Sequence, residues 1–238
     1  MAFSAAGVAA GAQSGQATAD PDLLYANRGN LEDARHAAAI WQAGLDRNPN
    51  DFEAAWKRAR AAYWIGKHLE DEDAQKAELG AGMAAARAAI RVHPDRPEGH
   101  FWLAATMGVL AERGGIRAGL RYRSPIRKSL ERVLEIDPSF QLGSADRALG
   151  RWYYLVPRLF GGSRRKSEEH LRRSLEYDPD SIASRFFLAE TLEADDREEE
   201  AAAELRRILA TPPNPEWLPE DREFKQKARA MLDELTDD

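Results

Sequence analysis

Five residue-proline pairs, Asn48-Pro49, His93-Pro94, Asp137-Pro138, Asp178-Pro179 and Thr211-Pro212, punctuate the chain, and each closes a run rich in alanine and leucine. The residue before a proline is pushed out of the right-handed helical region, so a helix ends there and the proline opens the next one. Runs such as Leu130-Glu131-Arg132-Val133-Leu134-Glu135-Ile136 have the apolar spacing of an amphipathic helix. A chain punctuated in this way folds as helix pairs stacked along one direction, because each pair buries its apolar face only against its neighbours. At 238 residues with 43% hydrophobic side chains, it has enough apolar surface for such a core.

The pattern predicts helices near 22–28, 31–46, 51–69, 72–92, 98–113, 125–136, 140–156, 164–176, 181–193, 197–210 and 219–235. Asp71-Glu72-Asp73 sets negative charge at the start of the fourth, where it favours the helix dipole, and Ser163 suits the N-cap of the helix that follows it. Thr211-Pro212-Pro213-Asn214-Pro215 reads as a rigid linker into a last helix with Phe224, Ala228 and Leu232 on one face, a solubilising cap. One connection breaks the rhythm. Between Gly114-Gly115 and Ser124-Pro125 lies Ile116-Arg117-Ala118-Gly119-Leu120-Arg121-Tyr122-Arg123, too long for a tight turn and read as a basic insertion on one face of the stack.

The segment from Pro179 to Pro213 is similar to a tetratricopeptide repeat, a helix hairpin of about 34 residues. Its first helix carries Leu188-Ala189 and Leu192, its second Ala201, Leu205 and Ile208: small residues where helices cross closely, larger ones where hairpins meet. Weaker copies read Trp56-x2-Ala59-Arg60-x2-Tyr63 and Phe101-x2-Ala104-Ala105-x2-Gly108, and Tyr25, Gly29, Ala34, Ala38 and Trp41 form an opening half repeat. The expected fold class is all-α, a right-handed solenoid of tetratricopeptide-like antiparallel helix hairpins with a C-terminal capping helix, occupying residues 21–238 as one domain.

Charge is distributed unevenly. The formal net charge is −6, yet residues 113–173 hold fifteen Lys and Arg against six Asp and Glu, whereas residues 174–238 hold eight against nineteen. Such a field has a direction that can steer an anionic ligand or stack copies head to tail as a homo-oligomer. Within the basic stretch 113–132, Tyr122 is the one interleaved aromatic, which with the acidic whole argues against a nucleic-acid partner. The absence of cysteine excludes disulfides, thiolate metal sites and cysteine nucleophiles. Residues 1–20 read as a disordered tail or as the remnant of an export signal. Ala2 to Ala12 is small and apolar and Ala17-Thr18-Ala19 fits a cleavage site, although no Lys or Arg precedes them. The placement favoured is periplasmic or otherwise exported rather than cytoplasmic, and no segment is expected to be transmembrane.

The densest aromatic stretch is Trp152-Tyr153-Tyr154. Consecutive on a helix, these three fan over about 200° and cannot all face one core, so at least one is exposed or lines a cleft. Arg147 and Arg151 share a helix face, where they can clamp a carboxylate or phosphate, or else pair with Glu131 or Glu135 on the preceding helix. Arg117, Arg121 and Tyr122 of the insertion, and His100 beside Trp102, complete the candidate ligand- or partner-binding set; a histidine at a helix start also serves simply to pack or cap. Glu168-Glu169-His170 does not converge on a helix, and no zinc-binding, nucleophile-elbow, phosphate-loop or dinucleotide motif is present. No catalytic residue, metal or cofactor is expected.

Two sets of residues resemble known families. Trp56 with Ala59-Arg60-Ala61, His100-Phe101-Trp102, Gly115-Ile116, Leu149-Gly150-Arg151-Trp152 and the closing proline-rich stretch with Glu220-Asp221 resemble the regulators of microtubule dynamics and their bacterial relatives. Arg147-Ala148-Leu149-Gly150, Pro157, and Gly161-Gly162-Ser163 before Leu171 and Asp178-Pro179 resemble the T-component proteins of tripartite periplasmic transporters. Together they span most of residues 50–235. The resemblance implies a helical binding protein without catalysis. Its T-component side implies a cleft for an apolar or anionic small molecule in an accessory of periplasmic uptake, though this chain lacks the lipoprotein cysteine of many members. Microtubule binding does not carry over, because the matched positions are fold positions. The alternative expectation is a scaffold that recognises a peptide or partner protein on its concave face.

Overall fold

A computed structural model describes residues 19–236, so the expected tail lies almost wholly outside the described residues. Among them the chain forms α1 (Pro21–Ala26), α2 (Leu31–Arg47), α3 (Phe52–His68), α4 (Glu72–Val92), α5 (Pro97–Arg113), α6 (Gly115–Ile136), α7 (Ser144–Leu155), α8 (Arg164–Tyr177), α9 (Ile182–Glu193), α10 (Glu198–Ala210) and α11 (Leu218–Thr236). Short 3-10 turns occupy Arg158–Phe160 and Pro215–Trp217. The described residues contain no strand, as the all-α reading requires, and none of their helices is long and apolar enough to cross a membrane.

The proline pairs act as helix stops. Asn48, His93, Asp137, Asp178 and Thr211 are the C-caps of α2, α4, α6, α8 and α10, with ψ between 85° and 129°, the conformation a following proline imposes. The prolines do not open the next helices, however. They lie in the turns, and α3 and α9 begin beyond them at caps of their own, where Asp51 accepts from the Ala54 amide and Ser181 from the Ser184 amide. Asp71 and Ser163 cap α4 and α8 in the same manner.

Successive helices pack in pairs, and the odd-numbered ones also touch each other, α3 on α5, α7 on α9 and α9 on α11. The repeat positions are core positions. Leu188, Ala189, Leu192, Ala201, Leu205 and Ile208 are each at most 1% exposed, and each buried leucine contributes roughly 2 kcal/mol. Tyr25, Ala34, Ala38 and Trp41 of the half repeat are buried too. A Cβ on Gly150 would lie 2.5 Å from Leu171 Cγ, so glycine is what lets α7 and α8 approach.

The supposed insertion is a correction. Residues 116–123 are not a loop: α6 runs unbroken from Gly115 to Ile136 with Pro125 inside it. A proline removes the amide that would bond the carbonyl one turn back, which is why the sequence pattern places a helix start there. Here the loss is tolerated. Pro125 and Arg121 lie on the exposed side, Ile126, Leu130 and Val133 anchor the following turns in the core, and the Trp152 indole donates to the Arg123 carbonyl at 2.9 Å.

The last helix does more than cap. α11 packs on α9 and α10, while its first turns reach the opposite end of the chain. Arg28, in the turn between α1 and α2, donates to both carboxylate oxygens of Glu220 at 2.9 and 2.6 Å and to the Glu216 carbonyl at 2.7 Å. Lys67 and His68, at the end of α3, both bond Glu223. The two ends of the solenoid therefore meet along a seam, and the odd-numbered helices form an inner wall beside it.

Candidate binding site

The inner wall is built from helices whose repeat positions are already spent on the core, which leaves residues of the adjoining helix face to line it. Tyr63 on α3 lies against Trp102 on α5, ring centroids 5.7 Å apart. Burial, followed by the charges of Glu220 and Glu112, raises the Tyr63 phenol well above its usual value and keeps it a neutral donor. Among the described residues the Trp102 indole N–H is buried without an acceptor, as are the Trp56 indole and the Arg60 Nε on α3. Such groups favour whatever acceptor reaches them.

Arg147, on α7, belongs to the same neighbourhood. Burial lowers its guanidinium below the ordinary arginine value, and the Tyr63, Asp178, Glu220 and Asp221 groups oppose that shift without cancelling it. No carboxylate among the described residues comes within ion-pairing distance of it. Its intended companion is occupied. Arg151 pairs with Glu190 on α9 at 2.7 Å and lies over the rings of Tyr154 and Phe187, 5.3 and 4.9 Å from their centroids. The acids on the preceding helix have other partners, Glu131 with Arg127 and Glu135 with Arg132. The two-arginine clamp is therefore not assembled, and one free guanidinium remains.

The other candidates separate into interior and surface. Trp152 and Tyr153, 7% and 8% exposed, are interior residues and not a contact surface: the first bonds α6 through its indole, the second stacks on His170 at 5.3 Å. Tyr154 is the member of the fan left half-buried. His100 bonds the Pro94 carbonyl through Nε2 at 3.1 Å and so fastens the start of α5. Trp102 is 3% exposed and packs between Tyr63 and Phe101. Arg117 and Arg121 are exposed on α6, and Tyr122 is half-buried against the core. Glu168, Glu169 and His170 part company, to Arg172 and Arg197, to Arg165, and to Asp146. No group of three or more metal-ligating side chains converges among the described residues.

Several wall residues lie outside the set marked in the sequence: Tyr63, Glu190, Phe187 and the seam partners Arg28, Glu220 and Glu223. A signal for the first existed, since Trp56, Arg60, Tyr63 and Lys67 recur at the spacing of one helix face. The others are made by pairing across the fold.

Solved structures share this architecture. The thermophilic tetratricopeptide-repeat protein TTC0263 of Thermus thermophilus superposes with a TM-score of 0.66 at 21% identity, covering 89% of this chain and 95% of that one. MamA matches with a TM-score of 0.52 at 15% identity over 84% of this chain and 95% of its own. Its RS-1 ArsTM double mutant matches with a TM-score of 0.51 at 14% identity over 90% and 99%. Identities this low establish the fold alone. No curated protein sequence matches the chain. The family described as Regulator of microtubule dynamics protein 1-3 matches residues 22–166, more than half of the 238, and the chain belongs to that family.

Proposed function

We propose that this chain is a non-catalytic binding protein whose inner wall, centred on Arg147, takes the carboxylate or other anionic group of a ligand. The observation that carries the reading is the unpaired guanidinium. Arg28 and Arg151 each hold a carboxylate at 2.7 Å or less, whereas the half-buried Arg147 holds none among the described residues. A half-buried cation without a counter-charge gains from an anion brought to it, and Tyr63, which acts on Arg147 and lies against Trp102, adds a neutral donor and an aromatic face. A small amphipathic acid fits this chemistry, as in an accessory of periplasmic uptake.

A second reading is supported by α11. Its acids Glu220 and Asp221 already act on Arg147, so an acidic peptide from a partner suits the same wall, and the chain then serves as a scaffold. Mass spectrometry of gently purified protein, with a pull-down in parallel, separates the two. A bound small acid that Arg147→Ala releases supports the first. A stoichiometric protein partner lost by the same variant supports the second. A ligand held equally well by Arg147→Ala overturns both, since one charge-assisted hydrogen bond lost should weaken binding by about 10- to 100-fold.

A further inference from the structure

The two longest acid-free stretches of the basic middle, residues 113–130 and 147–167, come together in space. On α6, Ile116, Leu120, Arg123 and Arg127 recur at the spacing of one helix face. That face runs into the 3-10 turn after α7. The Arg123 guanidinium lies 5.0 Å from the Phe160 ring, Arg127 lies 5.6 Å from the Trp152 ring, and Trp152 bonds the Arg123 carbonyl. The junction carries an unusual set of exposed apolar groups: Ile116 at 82%, Leu159 at 88%, Leu120 at 40% and Phe160 at 38%. Arg117, Arg121, Arg123 and Lys128 on α6 and Arg158 in the turn flank them, and none of these five makes an ion pair among the described residues, whereas Arg127 on the same face pairs with Glu131 and Arg164 at the start of α8 with Asp195.

We infer that this flank is a docking surface for an anionic lipid bilayer. Charge complementarity selects the sign of the partner, and the shape of the apolar groups selects its kind. Ile116 and Leu159 protrude; they do not line a groove. A nucleic acid would pair with the arginines and leave these two in water, and an acidic protein would need cavities to receive them. A bilayer takes protruding aliphatic groups into its acyl boundary while guanidinium groups rest among the headgroups on their own apolar stems. The binding is peripheral, and the inner wall and its Arg147 have no part in it.

The test is co-sedimentation of the full chain with vesicles of phosphatidylcholine and phosphatidylglycerol, against vesicles of phosphatidylcholine alone. The expected result is binding to the first and not the second, weakening as salt is raised. Arg117→Gln together with Arg121→Gln should lower the partition coefficient about 25-fold, taking about fivefold for each cation near an anionic surface. Ile116→Ser together with Leu159→Ser should lower it at least tenfold with both arginines intact; all four side chains are exposed, and circular dichroism confirms that the helices persist. No partition into the anionic vesicles overturns the inference. So does binding that needs the arginines but ignores Ile116 and Leu159, which is the behaviour of a site for an acidic protein or a nucleic acid.

Discussion

The chain treats its cations in two opposite ways. Along the seam between α1–α3 and α11 each has an assigned acid: Arg28, 4% exposed, is held by Glu220, and Lys67 and His68 share Glu223. Along the flank of α6 and the 3-10 turn after α7, Arg117, Arg121, Arg123 and Arg158 stand beside exposed Ile116 and Leu159 with no acid paired to them among the described residues. Matched and buried charge fixes geometry; unmatched and exposed charge is open to a partner. Stability should therefore respond to the seam, and binding to the flank and to Arg147.

The largest effect should follow Arg28→Ala. The substitution removes the two bonds to Glu220 and the bond to the Glu216 carbonyl, and it strips the cation from the rings of Tyr25 and Trp64, 5.2 and 5.5 Å from its centre. Breaking a buried pair from one side should cost about 3 kcal/mol, read as a lower urea midpoint. A loss under about 1 kcal/mol would make the seam an ordinary surface bridge and dissolve the contrast with the flank.

Acid should open the seam next. Burial alone would raise the Glu223 carboxyl, but hydrogen bonds from His68 and Lys67 outweigh it and bring the group down to about 2 from 4.5. His68 presents its other nitrogen to the Trp64 carbonyl at 2.7 Å, which holds the ring between α3 and Glu223. A carboxyl lowered on folding contributes stability that is complete above its unfolded value and is lost as pH falls through the folded one. The Glu223 contribution should accordingly fade between about pH 4.5 and about pH 2. Thermal midpoints of wild type and Glu223→Gln, measured across that range, should converge toward its acid end; a constant gap would show that Glu223 holds the seam by shape and not by charge.

What the sequence discloses of this contrast follows from distance along the chain. Helix stops are local, since a proline acts on the residue before it, and all five pairs end helices at the residues marked. Repeat positions are nearly local, and Leu188, Ala189 and Leu205 sit where the size pattern puts them. Local rules also misread α6. Pro125 signals a start when only its neighbours in sequence are considered, whereas buried Ile126 and Leu130 and the bond from Trp152, 29 positions from Arg123, carry the helix through it. The seam is less legible still: Arg28 and Glu220 are 192 residues apart, and nothing in either surrounding stretch names the other. Arg147 and Arg151 illustrate both cases. Their shared face is local and visible, but which of them is free depends on Glu190, brought in by α9.

The smallest effect is the most discriminating, because its sign matters. Arg117 and Arg121 are one helix turn apart, like charges on an exposed face, and such a pair destabilises a helix by about 0.2–0.5 kcal/mol. Arg117→Gln should then leave the protein slightly more stable, by roughly 0.3 kcal/mol at low ionic strength, with the gain vanishing as salt screens the repulsion. Paired denaturation curves at low and high salt resolve it. A structural role for the flank requires the opposite, a loss of stability on removing the cation, and a loss above about 1 kcal/mol would place α6 with the seam. A gain means that these charges are held against the fold's own preference, which is the condition expected of side chains whose counter-charge arrives from outside the chain.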